Sequence, residues 1–474
     1  METRTETFKQ NSEKALKTPS LKLAIKKATT RFKTLRKQSL ASIQNVDLLR
    51  DKIRKIKEDA INNLDHYLAM LEKSVIAAGG KVHWAKDGRD AAEIIAKIAV
   101  DNGVKRIVKG KSMVSEEINL NEVLINKGEH VVETDLGEYI IQLAGETPSH
   151  IIAPAIHKTK EDVSKLFTEK LGIERTDEVE KLTATARKTL REEFCAADMG
   201  ITGVNFAIAE TGSVVVVENE GNGRLSTTMP KIHIALMGME KVIPSLEDLG
   251  YFLKILARSA TGQKMSTYVS VITGARKCNE SDGPEQFHLV ILDNGRSRIL
   301  ADRDMKESLY CIRCGACLNI CPVFNNIGGH AYGWVYPGPI GSVITPQYVG
   351  LETAKMLPFA STLCGACHEV CPVKIKIPHL LLKLRSRVSE QADNADTKRN
   401  LKERIIMRLW TNSLKSRFMY ELLTSVGAFF TGLFSKNGKI KSLPSVLSGW
   451  TDERDFPLMA EKSFRKRWEE IKND

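Results

Sequence analysis

The chain has 474 residues, of which 42% are hydrophobic, and it carries a formal net charge of +12. This length allows two to four domains with at least one sizeable core. Residues 1–60 contain 16 Lys and Arg against 7 Asp and Glu, so much of the positive charge lies in one segment. We expect that segment to be a solvated or partner-facing surface. Few aromatic residues are interleaved with its charges, which argues against a nucleic-acid site.

The sequence contains no recognisable export signal or membrane span. Its first residues, Met-Glu-Thr-Arg-Thr-Glu, include no apolar stretch, so no signal peptide is predicted. No run of 18 uncharged apolar residues is present. The nearest candidate, 418–434, contains Glu421, and we expect an amphipathic helix inside the fold there. We therefore predict a cytoplasmic protein with reduced cysteines, and clustered cysteines in such a protein indicate metal or redox chemistry.

The first half of the chain passes from helices to alternating strands and helices. Apolar residues recur at helical spacing within residues 1–78, and Gly79 and Gly80 end that pattern. The alternation up to residue 134 predicts a β-α-β-α-β unit, and hence a parallel sheet with helices on its faces. The predicted strands are 81–85, 106–108, 130–134 and 151–153, and the predicted helices are 91–101, 116–126, 159–171 and 177–194.

Beyond residue 205 the pattern changes to short apolar runs. The runs 206–209 and 213–218 are joined by Glu210-Thr211-Gly212, which predicts a tight hairpin. Further β-like runs at 231–236, 268–273 and 288–292 complete one α/β domain. A cysteine-rich domain and a second basic helical region follow. The expected parts are a basic helical region 1–78, an α/β domain 79–298, a two-cluster ferredoxin-type domain 299–390 and a basic helical region 391–474.

The first cysteine motif has the spacing that holds iron–sulfur clusters. Cys311, Cys314, Cys317 and Cys321, followed by Pro322, form C-x2-C-x2-C-x3-C-P without deviation. Three thiolates from one tight loop can bind three iron corners of a cubane. The fourth is carried away by the following helix and reaches a different cluster.

The second motif repeats the first but begins with Ser361 where a cysteine is expected. The crossed-ligand rule divides the cysteines between two clusters. The first cluster takes Cys311, Cys314, Cys317 and Cys371, and the second takes Cys321, Cys364 and Cys367. The last corner of the second cluster is open to the Ser361 oxygen, another residue or water. It is equally open to a three-iron cluster that lacks that corner.

Other interpretations of these cysteines fit less well. A structural zinc site would not need Cys317, Cys321 and Cys371, and covalent haem attachment at the Cys364–His368 segment would need export. The 42 residues between Cys321 and Cys364 favour the helical kind of two-cluster domain. The isolated cysteines outside the array, which we expect to be buried structural thiols, are Cys195 and Cys278.

The α/β part carries weaker signals. Gly110-Lys111-Ser112 follows a strand and precedes a helix, but a P-loop would need glycine where Lys105 stands. The segment is compatible with an anion site and with a plain structural turn. No G-x-G-x-x-G follows a strand, so a dinucleotide fold is not supported. The polar clusters 210–213 and 218–224 are typical both of functional loops and of ordinary hairpin ends.

Several longer motifs resemble those of the lactate utilization protein B family, and the resemblance covers nearly the whole chain. The family's lack of a cysteine at the position of Ser361 is part of the same pattern. The motifs are Thr134–Tyr139, Pro148–Ile151, Gly200–Gly212, Glu218–Arg224, Ala257–Gly262, Tyr336–Gly341 and the two cysteine motifs.

The resemblance implies a fold, cofactors and a role. The α/β domain would be a LUD domain, with the fold shared by sugar-phosphate isomerases and coenzyme A transferases, followed by an α-helical two-cluster ferredoxin domain. The seven array cysteines would hold two [4Fe-4S] clusters. The protein would transfer electrons during oxidation of L-lactate to pyruvate, in a cytoplasmic complex with two sister lactate-utilization proteins and an unidentified electron acceptor.

Three hypotheses for function follow. In the first, the chain is an electron-transfer subunit, because none of its residue sets forms a convincing site for taking hydride from lactate. In the second, the α/β domain is itself a catalytic oxidoreductase with the clusters as an internal wire. In the third, the chain is a non-catalytic scaffold or redox sensor. The residues to test for the second hypothesis are Lys111, Glu210, Glu218 and Arg224.

Overall fold

A computed structural model describes residues 3–394, 398–433, 435, 437–443, 451, 454–460 and 462–473. The chain divides into two compact units, Met1–Val388 and Ser389–Asp474. Each unit is described by itself.

The first unit begins with helices, as predicted for residues 1–78. α2 starts with Pro19 at its first position, where the missing N–H costs no helical hydrogen bond. α3 and α4 bury one apolar face against the α/β part, with Ile53 and Leu71 fully enclosed. The helices are α1 (Phe8–Leu16), α2 (Pro19–Ala41), α3 (Val46–Asn62) and α4 (Leu64–Ala77).

A six-stranded sheet forms the centre of the α/β part, and all its strand pairs are parallel, as predicted. The strand order is β1-β10-β7-β4-β2-β3. Its strands are buried on both faces, because Leu289 and Ile291 face one core while Val290 and Leu292 face another. The strands are β1 (Lys81–Ala85), β2 (Arg106–Lys109), β3 (His130–Glu133), β4 (Met199–Gly203), β7 (Ile232–Gly238) and β10 (Gln286–Leu292).

Helices cover this sheet, and two details of the predicted elements are wrong. The single helix expected over 116–126 is two helices, because Asn119 adopts a left-handed conformation with φ 55°. Residues 151–153 form bends instead of a strand. The helices are α5 (Gly88–Asp101), α6 (Met113–Glu117), α7 (Leu120–Asn126), α8 (Leu136–Ala144), α9 (Lys160–Leu171), α10 (Val179–Ala196), α11 (Asn222–Thr228), α12 (Leu246–Ala260) and α13 (Arg296–Ala301).

The predicted hairpin belongs to a second, four-stranded sheet with the order β8-β5-β6-β9. β5 and β6 are antiparallel, which confirms the hairpin, and β5 pairs in parallel with the very short β8. The strands are β5 (Phe206–Ile208), β6 (Ser213–Glu218), β8 (Val242–Ile243) and β9 (Tyr268–Ile272).

The cysteine-rich part is helical, as expected for the longer kind of two-cluster domain. The residues between the two motifs are largely ordered into helices and bury Tyr332, Tyr336 and Ile344. The helices are α14 (Ala316–Ile320), α15 (Pro322–Ile327), α16 (Gly338–Val349), α17 (Ala366–Glu369) and α18 (Ile377–Asn394).

The second unit contains helices and one short antiparallel strand pair. The expectation that 418–434 lies inside the fold is wrong for the described residues 418–433, because none of the residues in α20 is buried. No helix in the described part of the chain has the length and apolar content needed to cross a membrane. The elements are α19 (Lys398–Lys415), α20 (Arg417–Leu433), α21 (Phe464–Asn473), β11 (Lys439–Ile440) and β12 (Phe456–Pro457).

Candidate iron–sulfur site

The first cysteine loop is shaped by residues in the left-handed conformation. Arg313 has φ 58° and Gly315 has φ 71°, so the chain turns sharply on both sides of Cys314. The Arg313 N–H points back to Cys311 Sγ at 3.4 Å. Cys317 then lies at the second position of α14, for which Gly315 is the N-cap.

Four of the predicted ligands converge on one small cavity. Cys311, Cys314 and Cys317 line it from the first loop, and Cys371 lines it from the second motif. Burial raises the pKa of the Cys317 thiol, and the nearby thiols of Cys311, Cys314, Cys371 and, from the second group, Cys367 raise it further. The Ile375 N–H also donates to Cys371 Sγ at 3.3 Å. This grouping of three cysteines from one motif with one from the other is the crossed arrangement expected from the spacing.

The remaining three array cysteines form a second group. Burial raises the pKa of the Cys367 thiol, and the neighbouring Cys321 and Cys364 raise it further. Burial also raises the pKa of the Cys321 thiol, and Cys364 adds to that rise. Cys321 and Cys367 are buried, whereas Cys364 is exposed. The second group therefore lies nearer the protein surface than the first.

Ser361 occupies the position in the second loop that Cys311 occupies in the first. Leu363 has φ 56°, matching Arg313, and its N–H donates to Ser361 Oγ at 3.1 Å. The corresponding N–H in the first loop donates to Cys311 Sγ. The serine oxygen thus stands where the repeat would put a fourth ligand.

The donor set suits iron–sulfur clusters better than a lone metal ion. Burial raises the pKa of Cys314 and of Cys367 to about 12 and that of Cys371 to about 11, so these thiols hold their protons without a metal. By contrast, hydrogen bonding from the Ala366 N–H and the Thr362 hydroxyl lowers the pKa of Cys364. Metal binding must displace these protons. Seven thiols in groups of four and three exceed what one structural zinc needs, and they fit a pair of clusters.

Arginines from the N-terminal helices hold the Cys371 loop in place. Arg36 donates to the Val370 carbonyl at 3.0 Å, and Arg50 donates to the Cys371 carbonyl at 2.9 Å. Arg54 donates to the Lys374 carbonyl at 2.7 Å. The prediction that the basic N-terminal segment is only a solvated or partner-facing surface is therefore wrong for these side chains, which bind backbone carbonyls of the cluster segment.

A buried charge network joins the cysteine-rich part to the α/β part. Arg296 is fully buried and donates to Glu117 at 2.9 Å and to Glu240 at 2.6 Å. Tyr336, from the segment between the cysteine motifs, donates to Glu117 at 2.6 Å. The Arg313 guanidinium lies 3.7 Å from Glu240. Burial would raise the pKa of Glu240, but these arginines outweigh it and hold that pKa at about 2.

The α/β part contains a cavity of about 290 Å³ that reaches the first cysteine group. Lys111 and Glu218, both named from the sequence, line it together with Cys314. Glu210 and Arg224 are not among its lining residues. Glu210 instead accepts the Leu246 N–H at 3.0 Å, as a structural contact at the start of α12.

Sequence reasoning missed two further cationic residues of this cavity. Lys241 and Arg313 line it although they are distant in sequence from Lys111. Arg313 lies inside the cysteine motif, and Lys241 lies in the short 3-10 helix that follows the fully buried strand β7, where no local pattern marks it as part of a cavity.

The two isolated cysteines also differ from expectation. Cys195 and Cys278 are exposed, so the prediction of buried structural thiols is wrong. Cys195 lies near the end of α10, directly after the buried Phe194, and Cys278 lies in the turn after β9. Helical spacing around Cys195 places it beside the buried stripe and not within it.

Comparison with known families covers the chain in three segments. The LUD domain model matches residues 68–292, and the 4Fe-4S dicluster domain model matches residues 307–375. The model described as lactate utilisation protein B, C-terminal, matches residues 383–473. An α/β LUD domain with a parallel sheet is therefore followed by a ferredoxin domain of the 4Fe-4S dicluster type.

Individual relatives match over nearly their whole length. Lactate utilization protein B of Shouchella clausii is 44% identical over 459 residues, which is 97% of this chain and 95% of that protein. Lactate utilization protein B of Bacillus subtilis is 43% identical over 462 residues, again 97% of this chain and 95% of that protein. A solved structure of a DUF162 family protein from Deinococcus radiodurans is 13% identical, with a TM-score of 0.28, and covers 48% of this chain and 98% of its own.

Proposed function

The chain belongs to the lactate utilization protein B family, and from this premise we propose that it is the iron–sulfur electron-transfer subunit of a system that oxidises L-lactate to pyruvate. This role allows lactate to be used as a carbon source. The observation that carries the proposal is the convergence of seven thiols from two motifs into groups of four and three. Clusters held in this way would supply one-electron carriers.

The proposed ligands of the first cluster are Cys311, Cys314, Cys317 and Cys371, and those of the second are Cys321, Cys364 and Cys367. For the second cluster we propose two further features: that it is a [4Fe-4S] cluster, and that Ser361 Oγ is its fourth ligand. The matching N–H contacts of Ser361 and Cys311 support this assignment.

The two sites differ in their surroundings, which suggests a direction of transfer. Cys314 is buried beside the α/β cavity, whereas Cys364 is exposed. Burial excludes water from the first site and strengthens the influence of nearby N–H groups and arginines on its potential. The exposed second site is suited to short-range exchange with a partner. Electrons would therefore enter at the first site and leave through the surface around Cys364.

The proposal requires other proteins. We propose that two sister lactate-utilization proteins form a cytoplasmic complex with this chain. Lactate would be oxidised mainly on one of them, and an electron acceptor, still to be identified, would receive the electrons. The chain itself would then be a subunit of the oxidising complex, without the catalytic site.

A specific observation favours a second candidate. The cavity that joins Lys111 and Glu218 to Cys314 would allow the α/β domain itself to act on a substrate, with the clusters as its internal wire. The two functions differ in what the isolated chain can do with lactate.

The test is anaerobic addition of L-lactate to the purified full chain, with the visible absorbance of the clusters as the readout. We expect no bleaching from lactate alone, and bleaching once the two sister proteins are added. Because electrons would enter at the first site, a Cys364→Ala variant should keep the bleaching of its first cluster and lose that of the second. Bleaching by lactate in the isolated chain would reject the subunit role and support the catalytic α/β domain.

A further inference from the structure

The cavity of about 290 Å³ lies where parallel strands of the central sheet end. β2 ends at Lys109 and β4 at Gly203, and Gly110 and Lys111, which follow β2, form part of the wall. Ligands of open α/β sheets bind at this carboxyl edge. At about 30 Å³ for each water-sized atom, the volume has room for roughly ten non-hydrogen atoms.

Three cationic side chains line the cavity with bonding capacity to spare. The Arg313 side chain is 8% exposed, and its Nη1 has no hydrogen-bond partner. Within the described residues, Lys111 and Lys241 make no hydrogen bond or ion pair through their ammonium groups. An unpartnered buried guanidinium nitrogen is costly, and an oxyanion in the cavity would satisfy it.

The acidic side chains of the cavity are already engaged with the backbone. Glu218 accepts the Gly223 N–H at 3.0 Å and the Arg224 N–H at 2.8 Å. Asp135 accepts N–H groups at the start of α8, and Glu220 accepts the Leu136 N–H at 3.0 Å. Backbone N–H groups hold these acids against the wall, and within the described residues none of them forms an ion pair with Lys111 or Lys241. The lining therefore combines free cationic donors with fixed carboxylates.

The lining favours a carboxylate over a free phosphate. Ile151, Val204 and Leu256 give the cavity an apolar wall against which a short hydrocarbon part can pack. The fixed acids Asp135 and Glu218 disfavour a doubly charged anion more than a singly charged one. We propose that this cavity is a binding site for a small carboxylate, with Lys111, Lys241 and Arg313 as its anion-binding groups.

An anion in this site would act on the first cysteine group. Cys314 itself lines the cavity, and the Arg313 N–H donates to Cys311 Sγ at 3.4 Å. An anion bound to the Arg313 guanidinium would offset its positive charge and so change the electric field at the first cluster. The spectrum of the first cluster is therefore a second readout of binding. This readout rests on the proposed function, whereas the binding itself does not.

The experiment measures calorimetric binding of pyruvate, acetate and inorganic phosphate to the anaerobically purified full chain, with iron counted on each sample. The variants are Lys241→Gln and Lys111→Gln. The matched control is Lys97→Gln, which changes an exposed lysine on α5 that does not line the cavity. The electron paramagnetic resonance spectrum of the reduced chain is recorded with and without pyruvate.

We expect pyruvate to bind at one site per chain and to shift the signal of the first cluster. Either lysine variant should weaken binding at least about tenfold with its iron content intact, and Lys97→Gln should match the wild type. Absence of carboxylate binding in iron-loaded protein would overturn the inference while leaving the electron-transfer role standing. Tighter binding of phosphate than of pyruvate, or equal binding in all variants, would overturn it too. Missing iron would instead count against the proposed function.

Discussion

Replacement of Arg296 by methionine should be among the most destabilising single changes in the first unit. Arg296 is fully buried and makes three hydrogen bonds to two carboxylates, those of Glu117 and Glu240. Its guanidinium also lies 4.8 Å from the centre of the Tyr348 ring. Methionine fills similar space but leaves both carboxylates without their main cation.

The size of the effect follows from these contacts. Breaking a buried ion pair by removing one partner costs about 3–5 kcal/mol. Tyr336 and Arg313 remain as partners of the two carboxylates, so we take a central value of about 4 kcal/mol. The first unit spans Met1–Val388, and at about 2.1 cal/mol/K of unfolding entropy per residue this corresponds to a fall in Tm of roughly 5 °C.

The assay is thermal unfolding of the full chain followed by circular dichroism and, on the same sample, by the visible absorbance of the clusters. Arg298→Met is the matched control, because Arg298 lies on the same helix, α13, but is exposed. We expect that control to change stability by no more than about 0.5 kcal/mol. Equal Tm values for Arg296→Met and Arg298→Met would refute the reasoning that this network stabilises the junction between the two domains.

Three further changes have expected outcomes. Burial lowers the pKa of His233 to about 3. The neutral buried imidazole therefore contributes its full stabilisation above pH 6.5, the pKa in the unfolded chain, and this contribution is lost as the pH falls toward 3. At pH 5 the loss in the free energy of unfolding is about 2 kcal/mol. Denaturant unfolding of the His233→Gln variant should show no such loss at pH 5. Arg50→Gln should speed iron loss to a chelator, because Arg50 holds the Cys371 carbonyl. Ser361→Cys should keep the second cluster at four irons, whereas Ser361→Ala should favour a three-iron signal after oxidation.

Each of these three predictions has an outcome that would contradict it. Parallel pH profiles for wild type and His233→Gln would mean that His233 does not titrate on unfolding. An unchanged rate of iron loss in Arg50→Gln, compared with the exposed-site control Lys97→Gln, would mean that the Cys371 loop does not need the arginine. Identical spectra for wild type and Ser361→Ala would exclude Ser361 as a ligand.

The sequence predicted the parts of the fold that local patterns encode. Period-two and period-3.6 patterns predicted the N-terminal helices, most of the parallel strands and the β5–β6 hairpin. The central strand β4 was missed, because Gly200 and Gly203 give it little strand character. A side chain at Gly200 would collide with the Ser226 carbonyl of α11, so tertiary packing dictates the glycine.

The site could be predicted only where metal-binding residue types stand at the sequence spacing that a cluster requires. The cysteine spacing predicted which thiols meet, since a tight loop followed by a helix allows little else. The arginines on the Cys371 loop and the cavity lysines are brought together by long-range folding. No local pattern distinguishes Arg50 or Lys241 from a solvated residue. The four-part division of the chain stays a prediction. Arg296, Arg313 and Tyr336 join two of the predicted parts in one network.

The most direct test of the electron-transfer proposal is electron paramagnetic resonance on the anaerobically purified chain, before and after dithionite, with iron and zinc counted on the same sample. We predict about eight irons per chain and a spin-coupled signal that appears on reduction, as two neighbouring four-iron clusters require. A chain that contains zinc in place of iron, and gives no signal in either state, would contradict the account.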